Sequence, residues 1–436
     1  MTLLIKLCFI CIFSLSLTSL IAQKDKQVNR SSANSASAIE WYKILHQNPE
    51  LSTFEDSTAK FLKSKLSKIG YTIIDSLGYH SFAAVLKNGE GPTLLYRTDM
   101  DALPIKEATG WTFSSTKTVQ KDQVETPVMH ACGHDIHMAT WLNVAQTMVN
   151  QRKKWNGTLV LLAQSAEEIG RGAKEVMASA AWKQIPQPSH QLAFHVSANL
   201  EVGELGLCDG YSMAAVDMMN ITIYGQGGHG AEPYKAIDPV LISAQFITQI
   251  QSIVSRNLPP NDPAVVTVGA IQGGTVGNVI PNEVLLKLTI RTYSTESRAL
   301  VMKRIKEIGD HLAMAAGMPE NRLPKYDLLD MSIPPVYNSE KIGKEINACL
   351  SNKFSLVKIP PTMIGEDFGI YSGGNKIPSY LIWLGVLSKA QKEAYKNDAL
   401  GIPSLHSSRF SPDFENTIPR GTEAMSTLLI HLFNKN

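Results

Sequence analysis

Cysteine is scarce in this chain. Of five in 436 residues, Cys8 and Cys11 sit in an apolar stretch near the start. Cys132, Cys208 and Cys349 remain, an odd and widely spaced set that excludes a disulfide framework. An excess of one charge is also missing. Lys plus Arg number 41 against 39 Asp plus Glu, which gives no electrostatic footprint for nucleic acid or anionic lipid. After Ala22 no run is long and apolar enough to span a bilayer as one helix. Internal repeats and low-complexity tracts are absent too. What remains is a chain of ordinary apolar content, 44%, and of a length that suits two domains.

The first residues have a different character. Lys6 precedes the apolar run Leu7–Ala22, and the chain turns polar at Gln23-Lys24-Asp25-Lys26. That layout predicts a signal peptide over 1–22 and export to a periplasmic or extracellular location, with no stable membrane insertion once it is removed. An uncleaved membrane anchor is the alternative. An exported protein that keeps Cys132 between two histidines needs that thiol protected, and metal coordination would do so.

Apolar patterning divides the rest. Helical spacing runs from Ala38, with Ile39, Tyr42 and Leu45 on one face, and Pro49 ends it. Asp56 is expected to cap a second helix that Gly70 closes. Phe82–Leu86, Thr93–Tyr96, Thr158–Ala163, Leu192–His195 and Leu381–Leu384 read as strands, the last three continuously apolar as in a sheet covered on both faces. Helical patterns alternate with them, which predicts an α/β core with a central mixed sheet flanked by helices. Over 214–325 the rhythm changes to strand, helix, two strands and helix. This predicts an inserted α+β two-layer satellite domain between two catalytic segments, 23–213 and 326–436.

The residues able to do chemistry cluster at the ends of these runs. Cys132 and His134 share one loop before an expected helix over Met138–Met148. Glu167-Glu168 follows a strand, His195 ends another, and His406 lies in a loop. Cysteine, histidine and carboxylate are the donors that a borderline divalent metal takes. With two adjacent carboxylates, one can bind metal while the other moves protons. Strand alternation is expected to point the two side chains apart. Each feature has a plainer reading: a buried Cys near a His is often packing, paired glutamates often start a solvated helix, and Asp99 could simply cap a turn. Their weight comes from occurring together.

Taken in order, His46-Gln47-Asn48-Pro49-Glu50-Leu51, Arg97-Thr98-Asp99-Met100-Asp101-Ala102-Leu103-Pro104, Cys132-Gly133-His134-Asp135 with His137, Ala166-Glu167-Glu168, His195-Val196, Gly228-His229, Gly277-Asn278-Val279-Ile280-Pro281, Gly365-Glu366-Asp367-Phe368 and His406-Ser407 run nearly end to end. In this order the chain resembles the amidohydrolase branch of the dinuclear aminoacylase/carboxypeptidase metallopeptidases, the branch of hippurate hydrolase, N-acetyl-diaminopimelate deacetylase and auxin-conjugate hydrolases. It departs at Ile136, where glycine is frequent, at Ser165, where proline is common, and at Tyr234, where many members have histidine.

The resemblance implies two divalent ions (zinc, manganese or nickel) bridged by Cys132. His134 and Glu168 would complete one site, and His195 and His406 the other. It implies Glu167 as general base and Asp99 as a carboxylate supporting a ligand. Asn278 would lie near the substrate carboxylate. His229 would reach a partner subunit's site and steady the oxyanion, so a homodimer formed through the satellite domain is implied. The expected substrate is an N-acyl amino acid or small dipeptide. A broader exopeptidase or carboxypeptidase, and a catalytically silent binding module on the same fold, are the alternatives.

Overall fold

A computed structural model describes residues 35–121 and 123–435. The expected signal segment lies outside the described residues. Among the described residues, no helix is long and apolar enough to cross a membrane.

The main sheet has eight strands, ordered Thr72–Ile74, Phe82–Asn88, Gly157–Gln164, Thr93–Asp99, His190–Glu201, Ser379–Leu387, Glu204–Leu207 and Ser355–Lys358. The four consecutive strands from Gly157–Gln164 to Ser379–Leu387 pair in parallel, and antiparallel pairs flank them. Continuous apolar sequence has the meaning expected of it. All nine residues of Ser379–Leu387 are buried, because cores form on both faces of the sheet. At the carboxyl ends of parallel strands the backbone leaves the sheet and the side chains of the following loops converge, the usual position of ligand sites in open α/β sheets.

A second sheet holds four strands in the order Val265–Gln272, Glu283–Thr292, Ala215–Tyr224 and Lys325–Leu328, all antiparallel. Period-two alternation gives it two faces. Met219, Ile221, Ile223, Leu286, Leu288 and Ile290 pack beneath the helices Pro239–Ser252 and Thr295–Ala315. The opposite face carries Val216, Met218, Thr289 and Arg291. The fourth strand runs past residue 325, the expected end of the insert.

Local expectations needed adjustment where side chains outside an element set its limits. The second helix is Asp56–Lys68, and Glu55 rather than Asp56 is its N-cap. The strand containing His195 extends over His190–Glu201, so that histidine lies mid-strand. Its pairing with Thr93–Asp99 stops at Leu192, while pairing with Ser379–Leu387 continues, with Trp383 opposite His195. His134 is not in a loop. It begins the helix His134–Asn150, nearly all of whose first three turns are buried between the sheet and the C-terminal helix Phe414–Phe433.

The start of that helix is fixed from two sides. Gly133 adopts φ +79°, and a Cβ there would lie 2.5 Å from Val196 Cγ2, so only glycine fits between Cys132 and His134. His46, from the helix over 35–47, sends Nδ1 to Asp135 Oδ2 at 2.7 Å and Nε2 to Glu107 Oε1 at 3.1 Å. Burial works to lower the His46 pKa, but these two carboxylates outweigh it and raise the value to about 9. A histidine whose pKa is raised on folding contributes stability that is complete below its unfolded value, near 6.5, and is lost as pH rises through 9. The contribution is up to ~3 kcal/mol. Denaturant unfolding of wild type and His46→Gln should therefore give a large difference at pH 6 that shrinks toward pH 9.5. A difference independent of pH would mean that folding leaves the His46 titration unshifted.

Candidate metal centre

Five donors meet at the carboxyl edge of the main sheet. Cys132 Sγ lies 3.5 Å from His195 Nε2 and 3.3 Å from His406 Nε2. Glu168 reaches His406 Nε2 with one oxygen at 3.4 Å and His134 Nε2 with the other at 3.8 Å. Two ligands on one tetrahedral ion, with bonds of about 2.0–2.3 Å, stand roughly 3.4–3.7 Å apart, so these separations suit shared ions. The donor atoms fall into overlapping groups, Cys132 with His134 and His195, Cys132 with Glu168 and His406, and His134 with Glu167 and Glu168. The third group holds the expected pair of His134 and Glu168, whose facing atoms lie 3.8 Å apart. His134 and His195 approach from the helix start and the sheet, whereas His406 enters from a turn at φ +64° on the side of Glu168.

The hydrogen bonds behind these side chains fix which nitrogen faces the centre. His134 Nδ1 meets the Asp101 carbonyl at 2.8 Å, and His195 Nδ1 meets the Val196 carbonyl at 2.9 Å. Each leaves Nε2 with its lone pair toward the other donors. His134 Nε2 and Glu168 Oε1 are buried and have no hydrogen-bond partner. Buried polar atoms are rarely left so, and a cation would satisfy both. His137 is fully used by neighbours: Nδ1 meets Asp99 Oδ1 at 2.6 Å, and Nε2 accepts the Val196 N–H at 3.1 Å. Asp99 thus bonds His137, and its other oxygen lies 3.8 Å from His134 Nε2, while the Asp101 carbonyl orients His134.

Negative charge dominates the centre. Arg97, 2% exposed, bonds Asp99 at 2.7 Å, Glu366 and Asp367 at 3.0 Å each, and Gln164 at 3.0 Å. Glu167 sits beside this network, and burial together with Glu366, Glu168 and Asp367 holds its carboxyl well above the usual range. Burial, then Glu168, Glu167 and Asp99, likewise hold the Cys132 thiol high. Burial opposes protonation of His134, yet Asp99, Asp101 and Glu168 raise its pKa to about 10. In all three the carboxylates push as missing positive charge would, with burial the larger cause for Glu167 and Cys132, and bound cations would oppose each shift.

The loop bearing Glu167 and Glu168 is held by side chains from distant segments. The strand ends at Gln164, so a turn, not strand alternation, separates the two carboxylates. Ala166 takes φ +57°, a conformation costly for a residue with a Cβ. Its N–H donates to Glu55 Oε1 at 2.8 Å. The Ser165 N–H donates to Ser81 Oγ and the Glu168 N–H to Asp101 Oδ2, each at 2.9 Å. Serine at 165 supplies the N–H for the bond to Ser81, which a proline there could not.

His229 and Asn278 are not brought to this centre. They adjoin in a short ribbon, Gly228–His229 against Val279–Ile280, where both are exposed and His229 Nδ1 accepts the Ala231 N–H at 3.0 Å. Sequence reasoning missed Arg97, Glu55, Asp101, Glu366, Asp367 and Arg291 as parts of the site. Four of these lie inside motifs quoted for the resemblance, but nothing in the spacing reveals that residues 269 positions apart pair. Arg291 lines a cleft of about 780 Å³ between the two sheets, with Cys132, Glu167, Glu168, His195 and His406 at its other side.

Residues 95–429 match peptidase family M20/M25/M40. The chain is 36% identical over 329 residues to an N-acetyl-L-cysteine deacetylase of Bacillus subtilis (strain 168), covering 75% of each. It is 34% identical over 405 residues to an N-acetyldiaminopimelate deacetylase of Lactococcus lactis subsp. cremoris (strain SK11), covering 91% of the chain and 99% of the relative. Among solved structures, a putative aminohydrolase from methicillin-resistant Staphylococcus aureus superposes with TM-score 0.80 at 28% identity, over 92% of this chain and 97% of the other. A dinuclear metal binding peptidase of the M20 family from Bacillus subtilis gives 0.76 at 26%, over 93% and 100%.

Glu55 offers a direct check on the loop. Burial first, then Asp101, raises its pKa to about 8, so at neutral pH it is largely a neutral acid that glutamine can mimic. Glu55→Leu should cost ~1–3 kcal/mol in denaturant unfolding by orphaning the Ala166 N–H, while Glu55→Gln stays near wild type. Equal losses would show that its acceptor oxygen is not what matters.

Proposed function

Because the chain belongs to peptidase family M20/M25/M40, whose members hydrolyse amide bonds, we propose that it deacylates N-acyl amino acids at the Cys132 centre. The observation that carries this reading is the convergence of Cys132, His134, Glu168, His195 and His406, two of whose buried donor atoms lack any other partner. Thiolate and imidazole donors suit zinc best, with manganese or nickel as the other candidates. When bound, two divalent ions would supply Lewis acidity to the amide carbonyl and lower the pKa of the attacking water.

The residues divide the remaining work. Glu167 Oε2 lies 4.0 Å from His134 Nε2, on the cleft side of the donors, with 10% of its side chain exposed. There it takes a proton from water as the new C–O bond forms, and passes it to nitrogen as the C–N bond breaks. The products are a carboxylate and a free amino acid. Arg291 has no carboxylate partner among the described residues; its Nε donates only to Thr289 Oγ1 at 3.2 Å. It is placed to hold the α-carboxylate of the substrate as a bidentate pair. A deacylase in this family has named precedent in the cysteine and diaminopimelate relatives. A silent binding module would not need the carboxylate that Glu167 supplies.

The satellite sheet supports a homodimer. Its edge strand Val265–Gln272 has one side unpaired, and Val240 and Leu241 on the adjacent helix are 43% and 58% exposed. Such an edge can pair with a second copy and bring the exposed His229 to the partner's cleft, where it would stabilise charge on the carbonyl oxygen.

Glu167→Gln should lower turnover of an N-acetyl amino acid by ~10²–10⁴-fold with metal content unchanged. Metal loss in this variant, with retention in Glu168→Gln, would mean that the two roles are exchanged. Mixing Glu167→Gln subunits with His229→Ala subunits should restore activity, since one site of the mixed dimer has both groups. Proven subunit exchange without recovery would refute the trans role.

A further inference from the structure

Two apolar walls line the cleft, and their residue types differ sharply from those at the metal centre. On the satellite sheet, register places Val216 and Val265 on either side of Arg291, with Met218 opposite Thr289 in the next row of the same face. Ile333 lies beside them, joined to Val216 by two backbone hydrogen bonds, and Met363 and Ile364 line the cleft from the segment that ends at Gly365. These surfaces converge at Gly365. A Cβ there would lie 2.2 Å from Val216 Cγ2 and 3.1 Å from both Arg291 Nη1 and Ile333 Cδ1, so the glycine keeps the space beside the guanidinium open. Apart from the metal centre and Glu167, Arg291 is the one charged side chain lining the cleft among the described residues.

Resting on the deacylase reading above, we infer that the substrate's amino-acid side chain is apolar, of the methionine, leucine or phenylalanine class. The α-carboxylate held by Arg291 and the side chain share one carbon. The side chain therefore falls among the residues that adjoin Arg291: Val216, Met218, Val265, Ile333 and Ile364. An apolar group there leaves water for a matching surface. A lysine, glutamate or diaminopimelate side chain would bring a charge with no partner on either wall, which is costly. Thioether side chains on both walls adapt their shape, so the preference should extend over several apolar side chains rather than select one. By this account the chain differs in substrate from its diaminopimelate relatives.

The test compares kcat/KM of the holoenzyme for N-acetyl-L-methionine, -leucine and -phenylalanine with that for N-acetyl-L-lysine, N-acetyl-L-glutamate and N-acetyl-L,L-diaminopimelate. The apolar set should lead by at least ~10-fold, the scale on which an apolar pocket discriminates. Met218→Asp should narrow the gap for N-acetyl-L-lysine. Calorimetric binding of the product amino acids to the same protein should favour methionine over lysine and glutamate. Equal or faster turnover of the charged substrates, or equal binding of the products, would overturn the inference. An apolar preference confined to the acyl group, seen as N-hexanoyl-glycine outrunning N-acetyl-L-methionine, would overturn it as well. Selective product binding without hydrolysis of any N-acyl amino acid would uphold the apolar pocket and refute deacylation instead.

Discussion

Asp99, Asp101, Glu167, Glu168, Glu366 and Asp367 crowd into the interior around a single guanidinium, that of Arg97. Carboxylates taken out of water need compensating charge within a few ångströms, and one cation cannot supply it for six. Most of the site follows from that imbalance. Burial and the crowded carboxylates hold the Cys132 thiol and the Glu167 carboxyl high, the carboxylates raise His134, and buried donor atoms are left without partners. Divalent cations would restore the balance, and the same ions would supply Lewis acidity for amide hydrolysis.

The imbalance is held in place by backbone geometry. Two donors flank a glycine at positive φ, His406 itself adopts positive φ, and the turn before Glu167 contains a third such residue, Ala166. Conformations that cost energy persist only where surroundings enforce them. Here the enforcing groups come from remote segments: the side chains of Glu55, Ser81 and Asp101 on the turn, and the Asp101 carbonyl on His134. A site of this kind is preorganised by parts of the chain that never touch substrate. The two proposed functions of the cleft then separate physically, with chemistry on the main sheet and recognition by Arg291 and its apolar neighbours on the satellite sheet.

Much of this was legible in the sequence, and the limits are instructive. Continuously apolar runs identified the central strands, because burial on both faces removes any alternation. The donors were identifiable by residue type and by position after strands. Three things were not legible. Strand His190–Glu201 extends well past His195 because its partner Ser379–Leu387 continues, which is a tertiary fact. The separation of Glu167 from Glu168 arises from Ala166 in a conformation that its side chain disfavours, so no local preference announces it. The pairing of Arg97 with Glu366 and Asp367 joins two ends of the chain across the sheet.

The most direct measurement is the number of divalent ions bound per chain, determined by elemental mass spectrometry on protein dialysed against metal-free buffer and then reloaded. The account requires two ions per chain, with protons released on loading as Cys132 becomes a thiolate. One ion or none per chain in fully active protein, or loading without proton release, would contradict it.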